Sequence, residues 1–167
     1  MSERIETGRL VLRRFELHHA AELAKLIGEI DVARWLTRVP HPYSVADAVE
    51  FINRPSIKSG LVFAITSDGN LIGGISLQEE LGYWLGKPFW GFGYATQATR
   101  ALIEHYFATY EKDVRSGHIL GNQASRSVLR KHGFEDTQVD AVHSSALGRD
   151  VSVQRMILKA SNWERCA

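Results

Sequence analysis

The chain carries a single cysteine, Cys166, beside its C-terminus, so no disulfide can staple it internally. One lone thiol fits a reducing compartment, and a cytoplasmic location is the expectation. No apolar run approaches the ~20 residues of a membrane span. The opening Met1-Ser2-Glu3-Arg4-Ile5-Glu6 has no apolar stretch of the kind a secretory leader needs. An excess of charge of one sign is also missing. Lys and Arg number 20 against 19 Asp and Glu, a net charge of +1 that leaves no electrostatic footprint for nucleic acid or an anionic membrane. There is no Gly-x-Ser-x-Gly elbow, and with Cys166 terminal this removes the usual hydrolytic nucleophiles. His18, His19, His41, His105, His132 and His143 show no metal-ligand spacing, so no metal is expected. The 167 residues are otherwise of ordinary composition, and one domain spanning residues 1–167 is expected.

What is present is concentrated between Trp84 and Thr96. A strand-like run, Leu81–Leu85, breaks at Gly86 and Pro88, and the loop Trp90-Gly91-Phe92-Gly93-Tyr94-Ala95-Thr96 opens directly into a helical pattern. Gly91 and Gly93 let backbone N–H groups converge, and the helix start adds its own unpaired N–H groups and positive dipole end. Such an arrangement binds a phosphate or pyrophosphate without a lysine or a metal. Glycines serving turn geometry alone are the other reading of a G-x-G. A Walker-type loop is excluded because no Gly-Lys-Ser/Thr follows. A dinucleotide fold fits poorly, since the third glycine position is Thr96 and no βαβ unit precedes the loop.

Around this loop the patterning predicts a mixed α/β sheet protein of order β-α-α-β-β-β-α-β-α-β-β. Arg9–Arg13 alternates as a half-buried strand, and residues 18–30 carry Ala21, Leu23, Ala24, Leu26, Ile27 and Ile30 at helical spacing. A second helical segment falls near Asp31–Leu36. Pro40-His41-Pro42-Tyr43 is a rigid turn, and Ser44 is an N-cap for a helix containing Val45, Ala46, Val49 and Ile52. Leu61–Ser67 and Leu71–Leu77 form a hairpin through Asp68-Gly69-Asn70. After the loop come a helix striped by Ala95, Ala98, Thr99, Leu102 and Tyr106, a strand Val114–Leu120, and a helix from Asn122 to His132. Gly133 takes the left-handed position that ends it. Ala141–Ala146 and Asp150–Lys159 pair around Gly148. The strand, loop, helix and strand in the middle read as a parallel crossover.

In these residues the chain resembles the Gcn5-related N-acetyltransferases, and within them the branch of ribosomal-protein N-terminal acetyltransferases. The markers run nearly the whole length: Glu6-Thr7-x-Arg9-Leu10-x-Leu12-Arg13, Gly73-Gly74-Ile75, Glu80-Leu81-Gly82-Tyr83-Trp84-Leu85, Trp90-Gly91-x-Gly93-Tyr94-Ala95-Thr96, Asn122-x-x-Ser125, and Val128-Leu129-x-Lys131-x-Gly133-Phe134. The family's loop pattern, Gln/Arg-x-x-Gly-x-Gly/Ala, falls on Trp90-x-x-Gly93-x-Ala95, so its first position departs. The resemblance implies acetyl-coenzyme A as co-substrate. Its pyrophosphate would sit on the amides of Gly91, Phe92, Gly93, Tyr94, Ala95 and Thr96. Its pantetheine arm would lie along Trp84, Leu85 and Gly86, with Asn122 bonding that arm from across the splay. Asn122 reads equally as a helix N-cap.

Acetyl transfer needs a neutral amine, a polarised carbonyl and a stabilised leaving thiolate. A lysine amine is under ~0.1% neutral at pH 7 and an α-amine roughly 10–20%, which favours an N-terminus or a similar low-pKa amine as acceptor. Glu80 is the candidate base, because strand alternation places it on one face with Gly82 and Trp84; a solvated hairpin residue is its other reading. Ser125 is the candidate donor to the thiolate, or a coenzyme A contact. Relatives often carry a tyrosine seven residues after the asparagine, and here that position is Leu129. His118 reads either as a base or as a hydrogen-bonded interior residue. Phe15, Trp35, His41 and Tyr43 fall in the region that covers the acceptor in the family, although Trp35 also reads as core. The expected activity is therefore N-acetyl transfer to a protein N-terminus or a small-molecule amine by a monomer or homodimer. An idle acyl-coenzyme A-binding module is the alternative.

Overall fold

The computed structural model describes residues 3–166. Met1, Ser2 and the side chain of Cys166, on which the leader and thiol readings rest, lie outside the described residues. Two strands open the chain, β1 (Arg4–Thr7) and β2 (Leu10–Arg13), joined by a turn in which Gly8 has φ 47°. Helices α1 (Ala20–Ile27) and α2 (Ile30–Ala33) follow, then α3 (Val45–Asn53) and α4 (Pro55–Ser59). The hairpin of β3 (Val62–Ser67) and β4 (Asn70–Leu77) leads to β5 (Leu81–Leu85). Then come α5 (Tyr94–Phe107), β6 (Val114–Ile119), α6 (Gln123–Lys131), β7 (Glu135–Ser144), β8 (Arg149–Leu158) and α7 (Ala160–Cys166).

Local chemistry explains the boundaries. In the β3–β4 hairpin both loop residues have positive φ, Asp68 at 51° and Gly69 at 81°, the geometry that matches strand twist in a two-residue turn. Ser44 caps α3 reciprocally: its Oγ accepts from Asp47 N–H at 3.1 Å, and Asp47 accepts from Ser44 N–H at 2.8 Å. α6 ends in a Schellman arrangement, with Gly133 at φ 95° and the Phe134 N–H donating to Leu129 at 3.1 Å. The segment near Asp31–Leu36 is helical only to Ala33. Its end tightens into i→i+3 bonds, Trp35 to Val32 and Leu36 to Ala33, as the Trp35 ring packs on Ile119, Val151 and Val153.

The sheet is mixed with helices as expected, but the parallel crossover is corrected. Every ladder among the described residues is antiparallel: a five-stranded sheet β1-β2-β3-β4-β5 and a three-stranded sheet β6-β8-β7. β6 pairs with β8 along one edge, from Val114 opposite Leu158 to Ile119 opposite Val153, and no ladder joins its other edge to β5 among the described residues. The edges of β5 and β6 meet at one end only, where Ser116 Oγ donates to the Leu81 carbonyl at 2.8 Å. Beyond that point the two sheets diverge. One core cluster, with Leu10, Phe63, Leu102, Phe134 and Met156, lies on the α5 side, and a second, with Leu23, Ile27, Ala48 and Ile52, lies under α1 and α3. β1, α4 and α7 are additions to the expected elements, α3 runs from its Ser44 cap through the expected Val45, Ala46, Val49 and Ile52, and β7 begins at Glu135 instead of Ala141.

Candidate functional site

The divergence of β5 from β6 opens a cavity of about 1430 Å³, bounded by β5, the loop after it, the end of β6 and the start of α6. Strand register decides which groups face it. Gly86 N–H donates to Ile72 at 2.8 Å, which makes Gly86–Ile72 a hydrogen-bonded pair. Such pairs alternate in an antiparallel ladder, so Trp84 also spends its backbone groups on β4, opposite Gly74, while Tyr83 and Leu85 turn theirs to the open edge. Of Trp84, Leu85 and Gly86, only Leu85 presents backbone polar atoms to the cleft, and Tyr83 joins it. The Leu85 carbonyl accepts the Trp90 indole N–H at 2.8 Å.

Gly91 and Gly93 both adopt left-handed backbone, at φ 83° and 79°, and Gly93 is the N-cap of α5. Neither glycine is there to save space at close quarters; the backbone angle is what an L side chain would disfavour. The first helical bond is from Gln97 N–H to Gly93, at 3.1 Å. The N–H groups of Gly91 through Thr96 therefore have no acceptor among the described residues. Arg9 stands over this amide cluster from the β1–β2 turn. Its guanidinium lies 4.6 Å from the Tyr94 ring centre, and its Nε is 3.3 Å from Gln97 Oε1. No carboxylate pairs with it among the described residues. Sequence reading missed this, because nothing in the spacing from Arg9 to Gly93 connects them.

On the opposite lip, Asn122 caps α6, its Oδ1 accepting from Ser125 N–H at 3.2 Å, which leaves its amide NH₂ free. Ser125 Oγ is 2.8 Å from the Tyr83 hydroxyl, and burial pushes the Tyr83 phenol up to about 12. Leu129, one turn further on, is fully buried in the core. Among the described residues no group of three His, Cys, Asp or Glu is placed to hold a metal ion, and no helix is long and apolar enough to cross a membrane.

Residues 9–135 match the family model described as the acetyltransferase (GNAT) domain. This chain belongs to the GNAT acetyltransferase family. It is 30% identical to a Bacillus subtilis protein named as a ribosomal N-acetyltransferase, YdaF, over 93% of each chain. Its fold is similar to that of the Salmonella typhimurium acetyltransferase that modifies the N-terminal serine of ribosomal protein L7/L12, with TM-score 0.79, 20% identity, and 94% and 99% of the two chains covered. It is also similar to the microcin C7 self-immunity acetyltransferase MccE solved with acetyl-CoA and AMP, with TM-score 0.74, 22% identity, and 91% and 93% covered.

Within this GNAT chain the remaining expected residues are dispersed around the cavity. The Glu80 carboxylate, partly exposed in the bend just before β5, accepts from Arg155 at 3.2 Å, and Arg155 also donates to Asp140 at 3.0 Å. His118 is buried. Its Nδ1 lies 3.2 Å from the Ile119 carbonyl, which can only accept, so Nδ1 is the donor of that bond, and its Nε2 has no hydrogen-bond partner among the described residues. Trp84 packs on the α1–α3 cluster, and a Cβ on Gly74 would approach its indole Nε1 to 2.6 Å, which accounts for the glycine there. Phe15, Trp35 and Tyr43 line the cavity, as do Trp90, Gly91, Gly93, Tyr94, Ala95, Thr96 and Asn122; His41, Gly86 and Phe92 do not. Phe15 is buried and edge-on to Phe51 at 5.4 Å, and burial raises the Tyr43 phenol above its ordinary value.

Proposed function

We propose that this GNAT chain transfers acetyl from acetyl-coenzyme A directly to a primary amine, within a ternary complex of enzyme, thioester and acceptor. The observation that carries the reading is the run of unpartnered amides from Gly91 to Thr96 beside the open edge of β5. The amides and helix dipole suit a pyrophosphate. The free N–H and C=O of Tyr83 and the Asn122 amide suit a pantetheine arm with its own amide groups. The Tyr83 N–H is the proposed donor to the thioester carbonyl, where negative charge develops during attack. The residues present thus fit the co-substrate along its length.

Glu80 is the proposed base. It borders the cavity at the mouth, where an amine enters from solvent, and it takes the proton that the amine loses on attacking the carbonyl carbon; the sulfur leaves with the C–S electron pair. His118 is the second candidate, with a free Nε2 but an enclosed position. The proposed acceptor is a protein N-terminal α-amine, supported by the names of the ribosomal relatives and by the greater neutral fraction of an α-amine at pH 7.

Acetylation of a panel of peptides with free N-termini, against the same peptides with blocked termini and free lysines, tests the acceptor class. In Glu80→Gln we expect kcat to fall about 100-fold with acetyl-coenzyme A affinity retained. If His118→Gln abolishes turnover and Glu80→Gln does not, the base is His118. If wild type binds the thioester and acetylates nothing in the panel, the chain is a binding module or its acceptor is not an N-terminus.

A further inference from the structure

The hydroxyl of Tyr83 sits in the cleft without a role in the account above. Its position is over-determined. Tyr83 pairs opposite Ile75 in the ladder, packs against the α5-side core, and brings its hydroxyl 2.8 Å from Ser125 Oγ and 3.2 Å from the Ser125 carbonyl. An O–H···O bond is normally 2.5–3.0 Å, so the contact with Oγ is the stronger of the two; either hydroxyl can donate in it, and with the phenol as donor Oγ receives its proton. A serine hydroxyl has one proton and two lone pairs. With one lone pair taken by Tyr83, the Ser125 proton is left free to point elsewhere, and both side chains line the same cavity. The Ser125 backbone is tied to the cap, where Asn122 Oδ1 accepts its N–H.

We propose that Tyr83 is a positioning residue for acetyl transfer: its hydroxyl donates to Ser125 Oγ and so directs the Ser125 proton toward the leaving sulfur. This rests on the acetyl-transfer reading. As the C–S bond breaks, the electron pair stays on sulfur and the thiolate is stabilised by the Ser125 O–H hydrogen bond. Both hydroxyls keep their protons, and the thiolate takes its proton from water afterwards. The chemistry is consistent: a cysteine-type thiol has a pKa of about 8.5, well below that of the buried phenol, so Tyr83 remains a donor at every working pH. Leu129 offers no polar atom to this stretch of α6, and the hydroxyl that orients Ser125 comes from β5.

The test compares Tyr83→Phe, Ser125→Ala and the double variant, with acetyl-coenzyme A binding measured by calorimetry and turnover on an accepted amine. Loss of one hydrogen bond in the transition state should lower kcat of Tyr83→Phe about tenfold with KM and Kd for acetyl-coenzyme A unchanged. The double variant should be no slower than Ser125→Ala, because Tyr83 acts only through that hydroxyl. Wild-type kcat in Tyr83→Phe, or losses that multiply in the double variant, would overturn the inference while leaving the acetyl-transfer reading intact. Independently of any acceptor, a crystal structure with coenzyme A should show Ser125 Oγ in contact with both the sulfur and Tyr83; a serine turned away from the sulfur would overturn it. Failure of wild type to bind acetyl-coenzyme A removes the underlying reading itself.

Discussion

The indole N–H of Trp90 donates to the backbone carbonyl of Leu85 at 2.8 Å, closing the loop after β5 back onto the strand that precedes it. The family's loop pattern has Gln or Arg at this position, and the indole offers one donor where those side chains offer several. That one donor goes to the one carbonyl among residues 84–86 that register turns outward. Trp90 is 41% exposed, so it is not held there by burial alone. Trp90→Phe keeps the ring and deletes the donor. We expect acetyl-coenzyme A affinity to fall about three- to tenfold by calorimetry, with little change in melting temperature. Unchanged affinity would show that the loop holds its shape without this bond.

Arg9 is a cation beside an amide cluster of positive potential and has no carboxylate partner among the described residues. Stacking on Tyr94 and the bond to Gln97 hold it in place. A bound polyphosphate would relieve this repulsion. Arg9→Gln should weaken acetyl-coenzyme A binding about fivefold at low salt, and the gap from wild type should close at about 0.5 M salt, where exposed charges are screened. A loss of affinity independent of salt would mean that Arg9 matters only for packing.

Acid should destabilise the fold through His19. This imidazole is buried, and its Nδ1 accepts the Glu16 N–H at 2.9 Å; burial, His18 and Arg13 together lower its pKa to about 4 from the ordinary 6.5. Between those two values the unfolded chain binds the proton that the folded chain refuses. The stabilisation is therefore present above pH 6.5 and is lost as pH falls toward 4. Melting temperature should drop by several degrees between pH 7 and 4.5, and by less in His19→Gln. Equal drops in both would exclude His19 as the cause.

Much of this was legible in residue order, and what was not had physical causes. The loop from Trp90 to Thr96 could be read directly because glycine spacing and a helix start are local features. Ser44, Asp68-Gly69 and Gly133 were legible for the same reason. The course of β6 was not, because its pairing with β8 depends on residues some forty positions away, and a strand of mixed burial such as Val114–Ile119 carries no mark of its partner. The same holds for the site. Tyr83 read as part of a motif, but its meeting with Ser125 depends on how two sheets diverge, and the approach of Arg9 to Gly93 spans most of the five-stranded sheet. Glu80 falls in the bend just before β5 and not on the strand that alternation gave it, and its pairing with Arg155 was not legible either.

The most direct test of the central claim is calorimetric titration of acetyl-coenzyme A into the wild-type protein and into Gly93→Asp. The substitution puts a side chain at φ 79° and a carboxylate where the amides converge, at the N-terminus of a 14-residue helix. Micromolar binding by wild type, abolished in a variant that still folds by circular dichroism, is the result expected. Absence of binding in the wild type, or equal binding in both proteins, would contradict the claim that this loop holds the phosphates of the acetyl donor.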